Sequence, residues 1–325
     1  MNHKGRQNKS YKILIRVAIG TVLLLLLLIG GASLYMTNYA LTPIKTITDK
    51  NNLTDKYISD NYPLCKEWLD SLNTHNALRD TFIVNKKGVR LHAYYVPYAH
   101  HTKKTAVIVH GYTDNALRMM MIGHLYSHDL GYNILLPDLQ YHGKSGGKAV
   151  QMGWKDRLDV EQWMQVANNI YGGDTHMVVH GISMGAATTM MVSGDKQPRY
   201  VKAFVEDCGY TSVWDQFAKQ MKEDFHLPPF PILYTASALC QMKYGWGFKE
   251  ASALKQVAHC KLPMLFIHGD QDDYVPTGMV YPLYEAKPKP KELWIVPGAG
   301  HALSYKVNPQ EYRERVKNFL APYIQ

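Results

Sequence analysis

A chain of 325 residues, 46% of them hydrophobic, can bury one large core, and no long tract is polar enough to stay disordered. The formal charge of +9 would suit a nucleic-acid binder, but Lys4, Arg6, Lys9, Lys12 and Arg16 supply five of those charges before any acidic residue. The remainder carries only about +4, with no basic stripe interleaved with aromatics, which excludes nucleic acid as an expected partner.

Residues 17–36 contain no charge and include six consecutive leucines, Leu23 to Leu28. At about 1.5 Å per residue this run matches a bilayer's hydrocarbon thickness of about 30 Å. Its flanking basic residues lie on the N-terminal side, so the expectation is a signal anchor over residues 1–36 with the N-terminus in the cytoplasm and the rest outside. Gly31-Ala32-Ser33 is small enough for signal-peptidase cleavage, which leaves a secreted form as the alternative. Cys65, Cys208, Cys240 and Cys260 would then face an oxidising compartment, but their pairing cannot be read from spacing.

Residues 37–79 form a connecting segment with one expected helix, where Pro63 suits a first turn and Leu64, Trp68, Leu69 and Leu72 fall at helical spacing. From Asp80 onward, short β-rich runs alternate with helical ones. Strands are expected over 82–84, 89–96, 106–109, 134–136, 177–179, 203–205, 264–267 and 293–296. Helices are expected over 116–129, 156–170, 184–192, 278–286 and 309–320. Continuous apolar runs separated by helices imply a mostly parallel sheet covered on both faces, with functional loops at the strands' C-terminal ends. Residues 209–258 break the alternation. They are rich in aromatic residues, contain Pro228-Pro229-Phe230-Pro231, and read as a helical cap inserted between the sixth and seventh strands.

Gly181-Ile182-Ser183-Met184-Gly185 follows one apolar run and precedes a helix-forming one, which is the setting of a serine exposed on a sharp strand-to-helix turn. The pentapeptide alone is a weak signal, and its context decides. His110-Gly111-Tyr112-Thr113 follows an earlier strand. Asp138, His142, Gly143 and Ser145 sit in an Asp-x-x-x-His-Gly-x-Ser loop. Asp272 lies in His268-Gly269-Asp270-Gln271-Asp272-Asp273-Tyr274-Val275-Pro276, and His301 follows Pro297-Gly298-Ala299-Gly300 after the last strand. The order Ser, Asp, His is one of the arrangements in which a nucleophile, an orienting acid and a general base occur.

On these four signatures, over residues 80–322, the chain resembles the α/β-hydrolase superfamily, in particular the small esterases grouped with monoglyceride-lipase-like and serine-aminopeptidase-like enzymes. The resemblance implies an eight-stranded α/β-hydrolase domain over residues 80–325. It also implies a catalytic set of Ser183, Asp272 and His301, an oxyanion hole from the amides of Tyr112 and Met184, and no cofactor or metal. Asp207, after another strand, is the rival acid. A phosphate-loop reading of Gly143-Lys144-Ser145 fails, because the glycine it needs five residues earlier is Asp138. His124 and His128 are one helical turn apart, but spacing suggests no third ligand, so a zinc site is not expected. The aromatics Tyr210, Trp214, Phe217, Phe225, Phe230, Tyr234, Trp246 and Phe248 suggest an apolar pocket for a small ester or acyl substrate. The expected activity is hydrolysis of carboxylic esters through an acyl-enzyme. A peptidase or acyltransferase on the same machinery is the alternative, and a non-catalytic binding scaffold is a third reading.

Overall fold

The computed structural model describes residues 3–43 and 50–325, with side chains described for residues 11–43 and 54–325. The side chains of Lys4, Arg6 and Lys9, and residues 44–49 of the connecting segment, lie outside the described residues. The chain opens with α1 (His3–Leu41), α2 (Lys50–Asn61) and α3 (Pro63–Thr74), then β1 (Arg79–Val84), β2 (Arg90–Val96) and β3 (Lys104–Val109). Next come α4 (Met120–His124), β4 (Asn133–Asp138), α5 (Asp156–Ile170), β5 (His176–Ile182), α6 (Met184–Ser193) and β6 (Val201–Asp207). The inserted helices α7 (Val213–Phe225), α8 (Ile232–Tyr244) and α9 (Ala253–Val257) separate β6 from β7 (Met264–Gly269). The chain closes with α10 (Val280–Ala286), β8 (Lys291–Val296), α11 (Ser304–Val307) and α12 (Pro309–Leu320).

The eight strands form one sheet in the order β1-β2-β4-β3-β5-β6-β7-β8. β1 and β2 pair antiparallel with each other and β2 with β4, while β3 to β8 run parallel. The middle stretches of β3 to β7 are buried, apolar runs because both faces of the sheet are covered there. On one face Ala106, Ile108, Ile134, Val178, Leu265 and Ile267 pack with Met120, Leu125, Val316 and Phe319. The intervening residues Val107, Leu135, Val179, Phe204 and Phe266 are equally buried on the other. There α6 packs on β5, β6 and α5.

Two compact units result, one made of Leu41–Gln216 and Phe248–Gln325, the other of Met1–Ala40 and Phe217–Gly247. The first holds the sheet. Within α1, the stretch Tyr11–Leu41 is long and apolar enough to cross a membrane.

The eight strands and the helices at 156–170 and 309–320 fall where the sequence pattern puts them. The stretch over 116–129 is not one α-helix. It begins as a 3-10 turn, Leu117–Met119, and ends as a π-helical turn, Leu125–Asp129, on either side of α4. In α3 the expected apolar face is rotated: Leu64 is 69% exposed, and Cys65 is buried instead beside Leu69.

Candidate active site

The site is assembled from the C-terminal ends of four strands. The pairs Ile108↔His180 and Val109↔Gly181 bring the ends of β3 and β5 level. Strand order reverses there, since β4 lies on one side of β3 and β5 on the other. Such a reversal opens a crevice outside the strand ends, where doubly wound proteins place their ligands.

Ser183 follows β5 directly and caps α6 with φ 58° and ψ −120°, a conformation that non-glycine residues adopt only under tertiary constraint. Its amide donates to the Asp207 carbonyl at 2.8 Å, which ties the turn to β6. Gly185 permits the approach of α6 to β3, because a Cβ there would lie 2.0 Å from the Val109 carbonyl oxygen. On the opposite side Gly111 packs against the serine, and a methyl on it would meet Ser183 Cβ at 3.4 Å and Oγ at 3.9 Å. Tyr112 follows on that loop, and Met184 is the first residue of α6, where the main-chain N–H has no acceptor within the helix.

The loop over residues 138–145 braces the 110–113 loop through main-chain donors. The Leu139 amide donates to His110 Nε2 at 2.9 Å and the Thr113 amide to His142 Nε2 at 3.2 Å. The Asp138 carboxylate accepts from the amides of Ala116 and Lys144, at 2.8 and 2.9 Å, and lies 2.7 Å from His92 Nδ1. Gly143 is required inside this bracket, since its φ is +50° and a Cβ would fall 2.1 Å from the Asp138 carboxyl carbon.

Ser183, His301 and Asp272 are brought together. Ser183 Oγ lies 2.8 Å from His301 Nε2, and His301 Nδ1 lies 2.8 Å from Asp272 Oδ2. With Nδ1–H donating to the carboxylate, Nε2 is left to accept the serine hydroxyl proton. Asp272 Oδ1 accepts from the amides of Tyr274 and Val275, at 3.1 and 2.9 Å. Burial would raise this carboxyl, but hydrogen bonds from His268 and His301 and the charge of His301 outweigh it and hold its pKa at about 2. The Tyr274 ring sits 4.9 Å from the His301 ring.

Asp207 lies outside this series. It accepts from Ser304 Oγ at 2.9 Å and from Tyr312 OH at 3.1 Å, and burial pushes its pKa up to about 6. Ser304 opens α11 three residues after His301, so Asp207 fastens the histidine's loop while its carbonyl fastens Ser183.

Sequence reasoning missed two buried groups behind Asp272. His268 Nε2 lies 2.9 Å from the Val275 carbonyl and 3.3 Å from Asp272 Oδ2. Glu206, on the neighbouring strand, is pushed up to about 8 by burial, with His268 and the Gly209 amide partly opposing. The position of His268 in the stretch that carries Asp272 was the only available signal. At His124 and His128 the rings stack at 4.4 Å, and Asp129 adds the carboxylate that spacing did not supply. Arg313 lies 3.8 Å from the other oxygen of that carboxylate. The four cysteines are buried and form no disulfide.

This sheet, with its serine on a strained turn after β5, defines a serine hydrolase of the α/β-hydrolase fold. The chain belongs to the prolyl oligopeptidase family, whose sequence profile matches residues 138–325. It is 33% identical to the uncharacterised protein YqkD of Bacillus subtilis over 233 residues, covering 72% of this chain and 76% of YqkD. Among solved structures it resembles the Pyrococcus furiosus esterase Pf2001, with 26% identity and a TM-score of 0.62, over 76% of this chain and 93% of that one. The α/β-hydrolase GrgF from Penicillium sp. sh18, 13% identical with a TM-score of 0.60, shares the fold over 76% of this chain and 99% of its own.

Proposed function

We propose that the protein is a carboxylic ester hydrolase working through an acyl-enzyme on Ser183. The observation that carries this reading is the continuous pair of 2.8 Å contacts from Ser183 Oγ through His301 to Asp272, set on a turn with positive φ. His301 Nε2 takes the hydroxyl proton as Oγ attacks the ester carbonyl. The amides of Tyr112 and Met184 hold the oxyanion, and each such donor contributes about 3 kcal/mol to the transition state. His301 returns the proton to the leaving alcohol, and water then releases the acid by the same steps in reverse. Likeness to an esterase at 26% identity supports an ester substrate.

Membership of the prolyl oligopeptidase family favours a second reading, a peptidase using the same residues. A fluorophosphonate probe is expected to label the wild-type protein and not Ser183→Ala. A folded wild type that stays unlabelled would overturn both readings in favour of a binding scaffold. Rates on p-nitrophenyl esters of graded chain length against aminoacyl anilides then separate them, and preference for the anilides would replace the esterase.

For the organisation of the chain we read residues 1–36 as a membrane anchor with a cytoplasmic N-terminus, 37–79 as a connector and 80–325 as an extracytoplasmic hydrolase domain with a cap at 209–258. The apolar stretch in α1 and the basic residues preceding it support this arrangement. N-terminal sequencing of the membrane-bound protein distinguishes a retained anchor from a cleaved signal.

A further inference from the structure

The exposure of α1 divides it in two. Residues 11–28 are exposed throughout, whereas Ser33 and Thr37 are buried one helical turn apart. The same compact unit contains residues 217–247, and these meet the covered stretch. Ser33 Oγ donates to the Ile232 carbonyl at 3.1 Å, Lys243 Nζ donates to Asn38 Oδ1 at 3.4 Å, and Tyr39 meets Phe225 edge-on at 5.7 Å.

Arg16 is the last charged residue before Lys45. A hydrocarbon core of about 30 Å takes about 20 helical residues, so a span starting after Arg16 ends near Met36. Ser33, and with it Ile232, therefore lies within about one helical turn of the outer boundary. The chain just before Ile232 is Pro228-Pro229-Phe230-Pro231. Its three prolines have no N–H, so the loop brings a single main-chain donor to that depth. The carbonyls of Pro229 and Pro231 already accept from the amides of Leu233 and Thr235, at 2.8 and 3.1 Å. A loop with so few unmet main-chain groups tolerates a medium that offers no hydrogen bonds. Phe230 is 72% exposed and pairs edge-to-face with Tyr234, which is 49% exposed, at 5.9 Å.

We propose that residues 228–231 together with Tyr234 form a wedge seated in the boundary between headgroups and acyl chains of the outer leaflet, beside the exit of α1. The proposal rests on reading α1 as a membrane anchor. The occupant of this apolar surface is lipid, because the adjoining helix fixes its depth and aromatic side chains favour that layer.

The test uses the full chain in nanodiscs of phosphatidylcholine and phosphatidylglycerol, with single environment-sensitive fluorophores on F230C, L25C or D224C. The native cysteines are buried, and the unsubstituted chain measures background labelling. L25C is expected to be quenched by lipids brominated deep in the acyl chain. F230C should be quenched by lipids brominated near the headgroup and be about fivefold less sensitive to aqueous iodide than D224C, which adjoins Phe225 farther out along α1. If L25C lies in lipid but F230C is as open to iodide as D224C, the wedge is wrong and the anchor stands. If L25C itself is quenched by iodide, the anchor reading fails and the wedge fails with it.

Discussion

Ser183 holds a backbone conformation that costs about 1–3 kcal/mol, and the surrounding packing pays for it. Nothing else in the site replaces its oxygen, so Ser183→Ala should lower kcat by about 10⁴-fold or more with melting temperature preserved. The two aspartates separate by what they touch. Asp272→Asn should reduce kcat by about 10³–10⁴-fold, because an amide cannot hold the His301 tautomer that leaves Nε2 open. Asp207→Asn keeps an oxygen for Ser304 and should cost activity less than tenfold. Steady-state kinetics on one ester compares them, and the opposite ranking would make Asp207 the acid. At Gly143 a methyl would collide with the Asp138 carboxyl, so Gly143→Ala should destabilise the protein by about 2–3 kcal/mol, measured by denaturant unfolding.

At the scale of elements, the end of β7, the loop after it and the loop after β8 converge on Asp272. His268, His301 and two amides all serve one carboxylate, and together they hold its pKa at about 2. A carboxyl depressed in the folded state adds stability that is present above its ordinary range and is lost as pH falls through the folded value. His268→Leu removes one donor, so the acid-unfolding midpoint, followed by circular dichroism, should move upward by about one pH unit. No movement would mean that the two amides and His301 suffice. Much of this architecture was legible in the sequence because buried parallel strands read as unbroken apolar runs, and each chemical residue follows one of them. The charge interaction of Glu206 with His268, which itself lies 3.3 Å from Asp272, was not legible, since it depends on β6 lying next to β7, and strand order is not written in any local pattern. Likewise α2, polar and without a clear apolar period, gave no helical signal. In α3 periodicity was present, but it could not tell which of two adjacent residues, Leu64 or Cys65, faces inward.

Over the whole molecule, buried acids set the pH response. Glu206 is raised to about 8, so between its ordinary range and that value the folded state holds a proton that the unfolded chain releases. Stability from this group is full below the unfolded pKa and falls as pH rises through the window, by at most about 1.4 kcal/mol per pH unit. Glu206→Gln keeps the shape without the proton. Thermal melts should show the variant gaining on the wild type between pH 5 and pH 8, by an amount that levels off above about 8. Parallel curves would show that Glu206 is ionised in the fold.

Ser183 and His301 are 118 residues apart, and the histidine follows β8, the last strand on its side of the sheet. A growing polypeptide therefore displays its nucleophile long before it owns a base. Any fragment ending ahead of β8 lacks the histidine, so the proposed hydrolase gains its base only when its final edge strand docks.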